Sequence, residues 1–322
     1  MTYSLIYYTA KRQKEWDDFI QRSSNGTFLH QRSYMDYHAE RFNDFSLMIF
    51  EGLKLRAVLP AHRIGNEIFA HKGLTYSDFI FQKKLKTAAK IEIVRQALAF
   101  LFQNDLNSLY IKSIPFVFQP LTDESCTYIY HKAGGELQEI KPFWISDRLF
   151  GLKINYNRQK NYKKLLSYGF KIEEDPQHIA EFWPIVVQNL KLRYNSQPTH
   201  SMDEIKLLIN RFPKHIRLFT IRQKSEILAG ALVYFINHTA HFQYIHALNS
   251  PESRQAVEFL TYELVQRFNN YAYVSFGSSS IGDNNINGNL VYWKESFGSH
   301  IINQLSFRLN PAFYDRLKNV LQ

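Results

Sequence analysis

Residues 215–277 read HIRLFTIRQKSEILAGALVYFINHTAHFQYIHALNSPESRQAVEFLTYELVQRFNNYAYVSFG. Three β-rich runs come first: HIRLFTIR, EILAGALVYFI and TAHFQYIHAL, broken by turns at 223–225 and at Asn237-His238. Short polar turns between β-branched and aromatic runs are the mark of antiparallel neighbours. The period then changes. Val257, Leu260, Leu264 and Phe268 share one stripe of a helix, and YAYVSFG returns to strand character. A three-strand meander, a crossover helix and a further strand predict a mixed, mostly antiparallel sheet flanked by helices.

The same order occurs earlier in the chain. FSLMIFEG, LKLRAVLPAH and NEIFAH read as strands with turns at Gly52 and at 64–66. AAKIEIVRQALAFLFQNDL places Ile91, Val94, Leu98, Leu101 and Phe102 on a helical stripe, and SLYIKSI closes the unit. Helical segments precede each meander: KRQKEWDDFIQRS and RSYMDYHAERF in the first half, PQHIAEFWPIVVQNLKLRY and MDEIKLLINRF in the second. Asp175 and Pro176 suit the cap and first position of a helix, and Pro184 inside the pattern predicts a kink. The expectation is an α/β (α+β) chain of two tandem domains, 1–150 and 151–322, with the boundary near Leu149–Asn155.

Composition narrows the class. A chain of 322 residues with 45 % apolar residues has material for two packed cores. Cys126 is the single cysteine, so no intrachain disulfide forms, and it reads as a small core residue. MTYSLIYYTAKRQKEW lacks the pattern of a signal peptide, and Ile227–Ile236, the best apolar run, has ten residues, too few to span a bilayer. The expectation is a cytoplasmic protein. The net charge of +10 reads as a solvated basic surface or as preparation for an anionic partner. Lys160, Lys163 and Lys164 share a helix face, on which an anionic ligand or membrane surface can rest.

Several residues carry candidate chemistry. Tyr292-Trp293-Lys294-Glu295-Ser296-Phe297-Gly298 follows a long, small and polar loop over 277–290. A lysine between large aromatics can reach a cleft partly desolvated, or can lay its stem on those rings. Strict alternation on TAHFQYIHAL places His241 and Gln243 on one face and Tyr244 and His246 on the other. A histidine or tyrosine there can relay a proton, or be a core residue bonded to backbone. Glu258, one turn into the crossover helix, can accept a proton or face solvent. The short turn before that helix exposes N–H groups with Asn249, Ser250, Ser253 and Arg254 nearby, which suits a phosphate or plain capping. Arg193 and Tyr194 end a helix ahead of His200, and such an arginine can grip an anionic acceptor or complement the helix dipole. His71 and Tyr76 flank Gly73 in a polar turn. No histidine or acid spacing supports a metal.

The paired units, with NGTFLHQRSYMDYHAERFNDFSL (25–47), LRAVLPA (55–61), HKGLTYSDF (71–79), LRYNSQPTHSMDEI (192–205), AGALVYF (229–235), AHFQYIHA (240–247) and YWKESFG (292–298), resemble the FemAB-like proteins, tandem members of the GNAT acyltransferase superfamily. The resemblance spans nearly the whole chain. It implies an acyl or aminoacyl transferase with no tightly bound cofactor. The donor would be acyl-CoA or aminoacyl-tRNA, and the acceptor an amine or hydroxyl of a cell-envelope, peptidoglycan or sugar precursor. It implies that Lys294 steadies transition-state charge. Beside that role for Lys294, the residues themselves suggest the donor at Asn249, Ser250, Ser253 and Arg254 and proton transfer at Tyr244, His241 and Glu258. The resemblance assigns Arg193, Tyr194, His200, Gln243, His71 and Tyr76 to the acceptor. The chain departs from the pattern twice. SPESRQA replaces the usual glycine-bearing pyrophosphate loop, and Ser77-Asp78 stand where relatives carry Gly-Gly. Two competing expectations follow: an inactive binding protein with Lys294 buried against carboxylates, and a basic RNA-binding module. DNA is not expected as a partner.

Overall fold

The computed structural model describes residues 2–149, 151–281 and 285–320. It resolves into two compact units, one formed by residues up to Ile140 together with those from Asn303 onward, the other by Lys141–Ile302. The division therefore falls some ten residues before the expected boundary, and the last segment, assigned from sequence to the second domain, belongs to the first.

The first unit holds an antiparallel set in the order Ser4–Tyr7, Leu47–Glu51, Lys54–Leu59, Ile80–Phe81. Gly52 turns the central hairpin at φ +58, a conformation that favours glycine. A second set pairs His62–Ile64 with Glu67–Phe69 and Glu67–Phe69, in parallel, with Ser108–Lys112. Ser108–Lys112 in turn pairs antiparallel with residues 306–309 of the final strand, Leu309 opposite Leu109. The helix Thr87–Gln103 buries Ile91, Val94, Leu98 and Leu101 as its stripe predicts, but Phe102 is exposed, and Ile93 and Ala97 complete the buried side. Phe307, Leu309 and Leu317 enter the same core, which is why the chain's end returns here. Cys126 is buried in that core. The expected helix over RSYMDYHAERF is broken into Arg32–Met35 and a 3₁₀ turn Asp36–Arg41.

The second unit is a six-strand sheet. Residues 144–147 pair with Tyr273–Gly277, followed by Thr239–Ala247, Glu226–Ile236, Ile216–Gln223 and Ile172–Glu174. Every pair is antiparallel except Thr239–Ala247 with Tyr273–Gly277, the two strands joined through the helix Pro251–Arg267. Leu260, Leu264, Phe268, Phe219, Phe235 and Phe242 build the core under that helix. On the opposite face the helix Ile179–Tyr194 runs through Pro184. Its Phe182 lies where a Cβ on Gly230 would stand, so a glycine at that strand position permits the close approach. Asp175 does cap Pro176, but of a 3₁₀ turn, Pro176–His178, that leads into the helix.

Candidate active site

The parallel pair at the centre of the second unit is short. It joins Thr239 to Tyr273, Ala240 to Val274 and His241 to Ser275, and ends there. Thr239–Ala247 continues six residues beyond His241 without that neighbour. Tyr273–Gly277 meanwhile shifts register between Ser275 and Gly277, with Gly277 at φ +66. The two parallel strands part beyond His241 and Ser275.

Lys294 stands where the strands part. Asn287 caps the helix Gly288–Glu295, its side chain accepting from Leu290 N–H, and the last turn carries Lys294. The residue is 3 % exposed. Its Nζ donates to the carbonyls of Gly277 (2.9 Å) and Ser278 (2.7 Å) and lies 5.3 Å from the Trp144 ring centroid. Burial pushes the ammonium down to about 7. No carboxylate pairs with it among the described residues. The inactive-protein expectation placed Lys294 against carboxylates, and carbonyls and an indole stand there instead. The preceding segment is also more ordered than a floppy loop: Ser280–Ile281 pairs antiparallel with Asn285–Ile286, and Asn287 N–H donates to Ser279 C=O. Residues 282–284 of the loop lie outside the described residues.

A bulge corrects the predicted faces of Thr239–Ala247. Its ladder with Glu226–Ile236 slips between Leu232 and Val233, which face Tyr244 and Phe242, so Gln243 is the extra residue. The slip puts His241 opposite Tyr234, Tyr244 opposite Leu232 and His246 opposite Gly230. These three residues thus share the face away from the crossover helix, while Ala240, Phe242 and Ala247 face its core. His241 Nδ1 is 3.0 Å from Ser275 Oγ, and burial, then the Lys294 charge, pulls the imidazole down to about 4. The Gln243 side chain bonds both His241 and Tyr244. Tyr244 OH is 3.1 Å from His200 Nδ1, and burial raises its phenol. His246 is lowered to about 4 by burial and then by the Arg193 charge. One polar row therefore runs along this face: Lys294, His241–Ser275, Gln243, Tyr244–His200, and His246 beside Arg193.

Other expected site residues are placed elsewhere or otherwise employed. Glu258 spends one carboxylate oxygen on Arg158 and the other on Trp293 Nε1 (2.9 Å), so it holds the aromatic block instead of acting as a base. Ser250 Oγ accepts from Ser253 N–H (3.1 Å) and bonds the Ser253 hydroxyl (2.8 Å), which makes this pair the cap of Pro251–Arg267. Asn249 and Arg254 remain exposed beside it. Arg193 is exposed at the end of Ile179–Tyr194, and of Tyr194 only the backbone is described. His71 and Tyr76 belong to the first unit and are both buried there, Tyr76 stacked on Phe118, so neither offers an acceptor a surface.

Trp144, Ser275 and Arg158 carry the site and were not anticipated. Arg158 Nε donates to Ser296 Oγ (2.8 Å), and its guanidinium lies 5.1 Å from the Phe297 ring. Trp144 Nε1 donates to Glu295 (3.3 Å). The available signal was KPFWISD, whose apolar character around Trp144 marks a buried strand.

No family model matches this sequence, and no curated protein matches it. Its fold is that of solved structures. FemX superposes with a TM-score of 0.67 at 11 % identity, over 98 % of this chain and 99 % of that one. L-PGS from Bacillus licheniformis gives 0.60 at 10 %, over 97 % of each. A tandem GNAT protein from the clavulanic acid biosynthesis pathway gives 0.51 at 9 %, over 96 % and 99 %. The chain has a tandem GNAT fold. Its architecture is shared with FemX.

Proposed function

We propose that this protein is an acyl or aminoacyl transferase whose reaction centre is where Thr239–Ala247 and Tyr273–Gly277 part. The observation that carries the reading is Lys294: a buried lysine with no acidic partner among the described residues, fixed by two carbonyls where parallel strands part. Its ammonium has three N–H bonds. Two hold the carbonyls, and the third serves an oxyanion.

An amine or hydroxyl of the acceptor attacks the activated carbonyl carbon. The π electrons move to oxygen, and Lys294 stabilises the resulting oxyanion. The nucleophile's proton passes to Tyr244 Oη as Tyr244 gives its own to His200 Nδ1. The carbonyl then re-forms and expels the carrier, a thiolate from CoA or a ribose alkoxide from tRNA, which takes the proton back from His200 by way of Tyr244. His241, Ser275 and Gln243 keep the row in register. Arg193, beside His246, binds an anionic group of a cell-envelope or sugar precursor. Arg254 and Asn249, at the start of Pro251–Arg267, meet the donor's phosphates. The donor is a substrate and not a resident cofactor, and the reaction is cytoplasmic.

The test is a transfer assay pairing acetyl-CoA, longer acyl-CoAs and charged tRNA with amine- and hydroxyl-bearing nucleotide-sugar precursors. One pair should turn over, and Lys294→Ala should lower its rate by about 10²–10³-fold with the fold retained. No turnover with any pair, or full turnover by Lys294→Ala, overturns the reading.

A further inference from the structure

The segment 153–171, KINYNRQKNYKKLLSYGFK, holds six basic residues and no acidic one. It folds as the helix Tyr156–Leu165 and the 3₁₀ turn Leu166–Tyr168, closed by Gly169. The helix has a well-defined inner side. Arg158 pairs with Glu258, Tyr162 bonds Glu263 and stacks on Tyr262 (4.0 Å between centroids), and Leu165 is buried. The acids that face this helix are thus turned inward and answered there. At 100° per residue, Tyr156, Lys160, Lys163, Lys164 and Ser167 fall on the opposite side. All five are exposed, and no ion pair joins these lysines to an acid among the described residues.

Large apolar side chains accompany the lysines. Tyr156, on the lysine face, is 74 % exposed, and Leu166 (55 %) and Tyr168 (50 %) flank that face on either side. Solvated basic helices do not need such residues. A bilayer interface does, since tyrosine and leucine enter the boundary between headgroups and acyl chains while lysines stay at the phosphates. The charge type agrees. The single arginine, whose planar fork suits nucleic-acid phosphates and bases, is turned inward onto Glu258, and the outer face carries only lysines.

We propose that the outer face of Tyr156–Tyr168 docks this protein on a bilayer surface rich in anionic lipid. Each lysine near such a surface contributes about fivefold to the partition constant. The area is distinct from the row at Lys294, so docking would set where the protein works and not how it transfers. It does not depend on the transferase reading.

The experiment is co-sedimentation with vesicles of phosphatidylcholine alone and of equal phosphatidylcholine and phosphatidylglycerol, at low and moderate salt. The protein should bind the mixed vesicles, ignore the neutral ones, and release as salt rises. The triple variant Lys160→Gln, Lys163→Gln, Lys164→Gln should lose about a hundredfold in partition with unchanged thermal unfolding. Tyr156→Ser with Leu166→Ser should lose part of the binding at equal charge. Two outcomes overturn the proposal: no preference for mixed vesicles, or full vesicle binding by the triple variant, in which case a loss of tRNA affinity by that variant would give the face to nucleic acid instead.

Discussion

At the scale of single residues, Lys294 decides the most. An ordinary lysine titrates near 10.5 and this one near 7. The unfolded chain therefore binds the extra proton over that interval, and folding gains stability as pH rises from about 7 to 10.5. Lys294→Met removes this dependence. Its stability relative to the parent should be highest at and below pH 7, by on the order of 1 kcal/mol once two deprived carbonyls are counted, and the advantage should shrink toward pH 10.5. Denaturation at stepped pH measures it, and a constant difference would refute the buried-charge account. Catalysis should show the opposite limb. If the ammonium holds the oxyanion, turnover falls as pH rises through about 7, and Lys294→Arg, which stays protonated, loses that limb while keeping some activity. The importance of Lys294 was legible, because a lysine set among Tyr292, Trp293 and Phe297 is unusual. Its partners were not. They are backbone carbonyls of Gly277 and Ser278, and backbone groups leave no trace in residue type.

Elements position these residues through local exceptions to regular geometry. Gly298 follows the aromatic block at φ +76, and a Cβ there would lie 2.9 Å from the Lys153 carbonyl oxygen. Gly298→Ala should destabilise by about 2–3 kcal/mol, from left-handed strain and backbone overlap together. Gly288, in the first turn of the helix that bears Lys294, meets nothing within 4 Å. Gly288→Ala should be neutral or slightly stabilising, and chemical denaturation of the two variants separates the cases. Glu258→Gln should destabilise by about 1–3 kcal/mol, since Arg158 keeps its half-buried place without a charged partner; equal stability of parent and variant would return Glu258 to the list of candidate bases. The meander, the crossover helix and its stripe were readable because hydrophobic period reports burial directly. The bulge at Gln243 was not. A single extra residue preserves composition and local pattern, yet carries Tyr244 and His246 to the face of His241.

At the scale of the whole molecule, buried histidines should make both units lose stability in acid, through His241 and His246 in the second. The first buries His38, His62 and His71 together, with ring centroids 5.3 Å apart for His38–His71 and 5.6 Å for His62–His71. His62 is lowered to about 4 by burial, then by Lys72 and Lys112, and His71 is lower still, by burial and then by its two histidine neighbours. Each folded value lies below the unfolded 6.5, so the stability is intact above pH 6.5 and drains away as pH falls toward 4. Hydrogen exchange over the first unit should quicken in that window by about 1–3 kcal/mol per histidine, and His71→Asn, which accepts the positive φ of that position, should blunt the change. Two units of repeated pattern were legible from the sequence, but not the return of the last strand: HIINQLSFRL carries a strand signal and no address, and Leu309 opposite Leu109 is a pairing across two hundred positions. That return matters for how the protein is made. A ribosome delivers residues 47–112 long before 306–309, so the nascent first unit exposes the unpaired edge of Ser108–Lys112 and an unfilled core until residues 306–317 emerge. The second unit, contiguous in the chain, can complete itself first. Birth order and assembly order are therefore reversed, and a chain cut short before residue 306 would strand the half of the protein that was synthesised first.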